Sequence, residues 1–80
     1  GLGLKPDAMN GEIVWYSPER AYGFVRPADG GGDIAFRLAD ASVDLGGVTI
    51  GMAVHYMLRH DPIGPLAVRL APGHLADDGL

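Results

Sequence analysis

Aromatic and cationic side chains are concentrated in one part of this sequence, residues 14–27. That stretch holds the only Trp, two of the three Tyr, one of the two Phe and two arginines. Aromatic rings that lie beside cationic side chains form a surface on which nucleobases stack while phosphates are neutralised. The stretch is therefore a candidate binding surface for single-stranded RNA or DNA.

A β-hairpin would hold these residues together. Gly11–Tyr16 is one apolar run, and Tyr22–Arg26 is a second run with period-2 alternation. The intervening residues 17–20, Ser-Pro-Glu-Arg, have the composition of a turn, because Pro fixes φ and Ser can bond its own backbone. The pattern predicts two strands joined by a short loop.

Alternation in the second strand decides which side chains face outward. Side chains two positions apart share a face, so Tyr22, Phe24 and Arg26 lie together. Gly23 and Val25 share the other face, and such residues suit the core side of a curved sheet. The two aromatics and the arginine are then left for the outer face, unless another layer of the domain covers them.

The rest of the chain predicts three more short strands, at residues 33–38, 52–58 and 66–70. The connection at residues 39–51 is long for a loop and has room for a short helical turn. Period-2 alternation gives one face of the last strand three apolar residues, Leu66, Val68 and Leu70. Five short strands predict an all-β fold, a small five-stranded antiparallel barrel of the OB type.

Composition sets the limits of the domain and its surroundings. Residues 1–9 contain Gly and Pro and show no hydrophobic periodicity, so we expect them to be a flexible lead or a cloning remnant. We expect the domain to span residues 10–71 and residues 72–80 to form a flexible tail. No apolar run approaches the ~18 residues that a membrane span requires. The absence of Cys fits a cytoplasmic protein.

The residue types exclude several kinds of site. Without Cys there are no disulfides and no thiolate zinc sites. The histidines His55, His60 and His74 lack the spacing of metal ligands, so we expect neither a metal nor another cofactor. Ser17 and Ser42 stand in turn-like sequence, where they bond the backbone, so we expect no catalytic site and no enzyme.

The charge of the chain limits how it could bind a polyanion. The net charge is −4, whereas proteins that bind nucleic acid non-specifically are usually basic. Arg20, Arg26 and Arg37 nevertheless lie in or near the aromatic stretch. The pattern predicts a local positive face on an acidic body, with modest and salt-sensitive affinity.

The sequence resembles the bacterial cold-shock domain family over most of its length. Residues 11–16, Gly-Glu-Ile-Val-Trp-Tyr, and 20–27, Arg-Ala-Tyr-Gly-Phe-Val-Arg-Pro, are similar to the family's runs Gly-x-Val-x-Trp-Phe and Lys-Gly-Phe-Gly-Phe-Ile-x-Pro. Residues 33–38, Asp-Ile-Ala-Phe-Arg-Leu, fall where the family has its second RNA-binding motif, Asp-Val-Phe-Val-His-Phe. Residues 51–58 and 64–67 are similar to the family's fourth and fifth strands.

This resemblance implies an OB-type barrel that binds single-stranded RNA or DNA by stacking, as an RNA-chaperone-like regulator of gene expression. Trp15, Tyr22 and Phe24 stand where the family stacks bases. Tyr16 stands where a peripheral aromatic contributes, and Arg20 replaces a Lys that meets the backbone. The predicted nucleic-acid-binding residues are therefore Trp15, Tyr16, Arg20, Tyr22, Phe24, Arg26 and Arg37.

The second motif departs from the family's pattern. Ala35 replaces a stacking Phe, Arg37 a stacking His and Leu38 the last Phe, and Val14 replaces a Lys of the first motif. Stacking is worth about 1–3 kcal/mol per base. Loss of two contacts therefore weakens binding by about two to four powers of ten, unless Arg37 compensates by stacking its guanidinium on a base.

Other functions stay open. The barrel could be a protein-interaction or self-association module, in which a protein partner or a second copy in a homodimer meets an apolar patch of Tyr22, Phe24, Ala35 and Leu38. It could also be an accessory domain whose function depends on neighbouring domains. Arginines that surround the aromatic rings would favour nucleic-acid binding, whereas arginines paired with Asp29 or Asp33 would favour the interaction module.

Overall fold

The computed structural model describes residues 8–41 and 47–75. A 3-10 helix, Leu38–Asp40, lies in the connection where a helical turn was predicted. Among the described residues no helix is long and apolar enough to cross a membrane. The predicted all-β class is confirmed, because the other elements are strands: β1 (Ala8–Ser17), β2 (Tyr22–Pro27), β3 (Ile34–Arg37), β4 (Ala53–Asp61) and β5 (Gly64–Pro72).

The strands close into a barrel in the order β1-β2-β3-β5-β4, and β4 pairs again with β1. Directions cannot alternate all the way around a ring with an odd number of strands, so one neighbouring pair must be parallel. That pair is β3 with β5, where Ala35 lies opposite Leu66, and the other pairs are antiparallel. The predicted five-stranded OB-type barrel is confirmed, with this one parallel contact in an otherwise antiparallel barrel.

The core is made by the inward side chains of all five strands. In β2 and β3 the alternation is as predicted, since Val25, Ile34 and Phe36 are buried while Tyr22 and Phe24 are only half-buried. A fully buried side chain of this size contributes about 1.5–3 kcal/mol to stability. The buried core consists of Ile13, Val25, Ile34, Phe36, Val54, Tyr56, Ala67 and Leu70.

A β-bulge at Val14 interrupts the alternation of β1. The register with β2 passes from Ile13 opposite Val25 to Trp15 opposite Phe24, so Val14 is an extra residue on β1. A bulge of this kind turns the following side chains to the other face. Ile13 is therefore fully buried while Trp15, two positions later, is 44% exposed.

A second irregularity lies in β5, where the predicted parity is wrong. Ala67 and Leu70 are both buried, although they are three positions apart, while Leu66 and Val68 are half-buried. Between His55 and Met57 of β4 the pairing shifts by one residue on β5. Arg69 takes a left-handed backbone conformation at this point, with φ 57°. This bulge shifts the in–out alternation of the β5 side chains by one residue.

His74 and Leu75, which follow β5, are hydrogen-bonded to β1. The Asn10 side chain donates to the carbonyl oxygen of Leu75 at 2.9 Å and accepts from the Leu75 N–H at 2.8 Å. The His74 Nε2 lies 2.8 Å from the carbonyl oxygen of Gly11, to which it donates. These contacts attach the segment after β5 to the first strand of the barrel.

The predicted segment limits fall partly outside the described residues. Residues 8 and 9 of the predicted lead begin β1. Residue 72 of the predicted tail is the last residue of β5, and residues 73–75 follow it. The β4–β5 turn is shorter than predicted, because only Pro62 and Ile63 separate the two strands. The remainder of the predicted lead, connection and tail lies outside the description, at residues 1–7, 42–46 and 76–80.

Candidate functional site

The β1–β2 hairpin positions the aromatic residues of the predicted surface. Trp15 lies opposite Phe24 in the antiparallel register, and Ser17 lies opposite Tyr22. The turn is closed by the Ala21 N–H, which donates to the Ser17 carbonyl oxygen at 2.8 Å. Since Tyr22 and Phe24 are two positions apart on a regular part of β2, both point away from the core.

Trp15, Tyr22 and Phe24 contact one another and form an aromatic cluster on the outside of the barrel. The ring centroids of Trp15 and Tyr22 are 5.3 Å apart, those of Trp15 and Phe24 are 5.8 Å apart, and those of Tyr22 and Phe24 are 6.1 Å apart. Edge-on and tilted ring pairs at these separations are favourable. The three rings therefore support one another and keep part of their surface open to a ligand.

The aromatic character of this face ends at β3. Ala35 lies opposite Phe24 and Arg37 lies opposite Tyr22, so a methyl group and a guanidinium border the aromatic cluster. Leu38 follows in the 3-10 helix and packs against the core. Ala35 and Leu38 therefore add no aromatic ring to this face.

Two of the predicted arginines are paired with carboxylates. Arg26 Nε donates to Asp33 Oδ1 at 3.1 Å, and Arg37 Nε donates to Asp40 Oδ2 at 2.9 Å. The Arg26–Asp33 pair is one of the pairings that favour the interaction module over nucleic-acid binding. Arg20 is exposed in the β1–β2 turn and forms no ion pair within the part of the chain that the structure describes.

Tyr16 lies on the opposite face of the hairpin from the aromatic cluster. It pairs with Gly23, which is buried, and its ring stacks on the core ring of Phe36 with centroids 6.2 Å apart and planes at 6°. The structure thus brings Trp15, Tyr22 and Phe24 together, with arginines beside them, and places Tyr16 against the core.

Asp40 is a neighbour of the site that sequence reasoning missed. The 3-10 helix turns the chain back after β3, so that the Asp40 carboxylate reaches the Arg37 guanidinium three residues earlier. Opposite charges at this spacing are a familiar helical pair. That spacing was the available signal, but it becomes informative only once the residues after β3 are known to form a helical turn.

Other polar groups of the barrel have structural surroundings. Within residues 8–41 and 47–75, no group of three or more His, Cys, Asp or Glu is arranged to hold a metal ion. The rings of His55 and His74 contact backbone carbonyl oxygens, each at 2.8 Å. Burial in the core raises the pKa of the Tyr56 hydroxyl, and the negative charge of Asp29 raises it further.

These features define a class: a small OB-type barrel that carries an aromatic cluster and arginines on its outer face. No family model matches the chain. The chain is 33% identical over 63 residues to Cold shock-like protein CspI of Escherichia coli (strain K12), a match that covers 78% of this chain and 90% of that protein. The protein of the same name from Escherichia coli O6:H1 matches equally well. The chain therefore belongs to the cold-shock protein family.

A solved structure supports the same fold. The barrel is similar to drosophila Unr CSD456 with a TM-score of 0.69 over 91% of this chain, at 16% sequence identity. The match spans 29% of that longer chain. At this level of identity the likeness concerns the arrangement of the strands.

Proposed function

We propose that this chain binds single-stranded RNA or DNA by stacking bases on the aromatic cluster. The observation that carries the proposal is the partial exposure of three mutually contacting rings on one outer face of the barrel. The buried core is formed by other residues. Membership of the cold-shock protein family supports the same function, because the stacking positions of its first motif are aromatic here.

The proposed mechanism is non-covalent. Unpaired bases stack on the rings of Trp15 and Phe24, which lie side by side in the register, and on Tyr22 beside them. Arg20, Arg26 and Arg37 contact the phosphates. Because bases in a duplex cannot reach the rings, binding favours open strands over paired ones, which is the action of an RNA chaperone and a regulator of gene expression. Tyr16 stays a predicted peripheral contact, and the proposal does not depend on it.

The test is a titration that follows Trp15 fluorescence. A short pyrimidine-rich DNA strand and its RNA counterpart are added at low and at physiological salt, and anisotropy of a labelled strand gives an independent measure of binding. We expect saturable quenching that weakens as salt is raised. No quenching and no anisotropy change at high micromolar strand, even at low salt, would contradict the proposal.

Phe24→Ala is the diagnostic variant, because it removes a stacking ring and leaves the Trp15 probe in place. We expect it to weaken binding about 5- to 150-fold, the equivalent of one stacked base. Ile63→Ala is the matched control, since Ile63 is 91% exposed in the β4–β5 turn. Equal losses in the two variants would mean that the aromatic cluster is not the binding surface.

A protein-interaction or self-association module is the second candidate. The pairing of Arg26 with Asp33 and of Arg37 with Asp40 favours it, because it lowers the positive potential beside the rings. Sedimentation over a range of protein concentrations tests for self-association. A homodimer that dissociates in Phe24→Ala, together with no binding of either strand, would support this candidate against the first.

A further inference from the structure

We propose that Asp33 and Asp40 act as built-in competitors of nucleic-acid phosphates and hold down the affinity of the aromatic face. Each carboxylate pairs with an arginine that borders the aromatic cluster. This inference rests on the proposed function, since it concerns the phosphate contacts of the same surface.

The position of the paired arginines carries the inference. Arg37 lies directly opposite Tyr22 on the neighbouring strand, and Arg26 is two positions from Phe24 on the same face of β2. The side chain of Arg26 is 59% exposed and that of Arg37 is 55% exposed. A nucleic-acid strand that lies on the rings can therefore reach both guanidinium groups. These two cations beside the rings are therefore accessible but already neutralised.

The form of the ion pairs indicates competition. Each carboxylate receives a hydrogen bond from one nitrogen, the Nε of its arginine. Exposed ion pairs of this kind are weak, so the phosphates of a strand can displace them. A displaced carboxylate still lies close to the phosphate and repels it. Asp33 and Asp40 thus lower the gain from each phosphate contact while contributing little to the stability of the barrel.

The matched control is a third ion pair of the same chain. Asp61 pairs with Arg59 at 3.5 Å, at the end of β4. Asp33→Asn, Asp40→Asn and Asp61→Asn each remove one negative charge and nearly preserve the volume of the side chain. A general effect of net charge would act in all three variants, whereas local competition would act only in the first two.

The measurement is the affinity of each variant for an oligothymidine strand as a function of salt. We expect Asp33→Asn and Asp40→Asn each to tighten binding about two- to fivefold, and the double variant to tighten it further. The slope of log affinity against log salt steepens by up to about 0.7 per released arginine. We expect Asp61→Asn to change the affinity and the salt slope by only a small fraction of these amounts.

The outcomes separate the inference from the proposed function. Equal tightening in all three variants would overturn the inference, because a change in net charge would then explain the tighter binding. Weaker binding in Asp33→Asn or Asp40→Asn would also overturn it, because the carboxylates would then orient the arginines. Unchanged affinity at residues 33 and 40 in a protein that binds the strand overturns the inference alone. No binding by wild type or by any variant overturns both. Thermal unfolding checks the fold of each variant, and Asp33→Asn suffices if Asp40→Asn unfolds.

Discussion

Gly23→Ala is expected to destabilise the barrel strongly, because residue 23 lies between the aromatic face and the core. A Cβ at this position would overlap the carbonyl oxygen of Trp15 and would lie 2.8 and 3.0 Å from two ring carbons of Phe36. The carbonyl belongs to the backbone of β1 and cannot rotate away. The Phe36 ring is fully buried and stacks on Tyr16, so it has little room to move.

The magnitude follows from these contacts. Overpacking a core costs about 1–3 kcal/mol, and more where several groups must shift. Here a backbone carbonyl and a buried ring must both move, so we expect the upper end, about 3 kcal/mol. For a domain of this size that loss lowers the Tm by roughly 12–24 °C. It is also a large part of the total stability, which at about 0.05–0.15 kcal/mol per residue is small.

The assay is urea unfolding followed by Trp15 fluorescence and far-UV circular dichroism. Gly32→Ala is the control, because no heavy atom lies within 4 Å of a Cβ at that position, and we expect a change within about 0.5 kcal/mol. If Gly23→Ala unfolded at the same urea concentration as Gly32→Ala, β1 and β3 could not be packed against residue 23 as described. The positioning of Trp15 over β2 would then need a different explanation.

Two further predictions concern the buried hydroxyl of Tyr56 and the exposed side chain of Arg20. Tyr56→Phe removes a buried hydroxyl that has no hydrogen-bond partner among the described residues, so urea unfolding at neutral pH should give a gain of about 1 kcal/mol. Because burial raises the pKa of Tyr56 above 10.0, the folded barrel disfavours the ionised hydroxyl. The stability of the barrel should therefore fall as the pH rises above 10.0 through the raised pKa, a loss that Tyr56→Phe should lack. Arg20→Gln should weaken the binding of a nucleic-acid strand and reduce the slope of log affinity against log salt by up to about 0.7. Arg59→Gln is the control, because Arg59 is paired with Asp61 on β4, and it should leave the affinity and the slope unchanged.

The alternation of β2 and β3 could be predicted from the sequence because both strands pair regularly. Every position in the register from Tyr22 opposite Arg37 to Val25 opposite Ile34 follows the pleat. The period-2 pattern therefore separated core from surface correctly, and it placed Phe24 on the outside. Where strand pairing is regular, the period-2 pattern of the sequence predicts which side chains face the core.

The two bulges could not be predicted in this way. Strict alternation would put Ile13 and Trp15 on one face, yet one is buried and the other exposed. The expected role of Trp15 came from the family resemblance, and the bulge at Val14 is the physical reason that its ring lies on the outer face. At Arg69 the left-handed φ is unusual for a residue with a side chain, and no local signal in the sequence marks it.

The charge of the chain and the geometry of its surface together determine what kind of binding to expect. The net charge is −4, and Arg26 and Arg37 already have carboxylate partners, so long-range attraction supplies little of the proposed affinity. The larger share must then come from contact between bases and the aromatic cluster. Contact of that kind requires unpaired bases and depends less on salt than binding through phosphates does. In the proposed mechanism, the arrangement that makes this face a poor general polyanion binder also makes it selective for open strands.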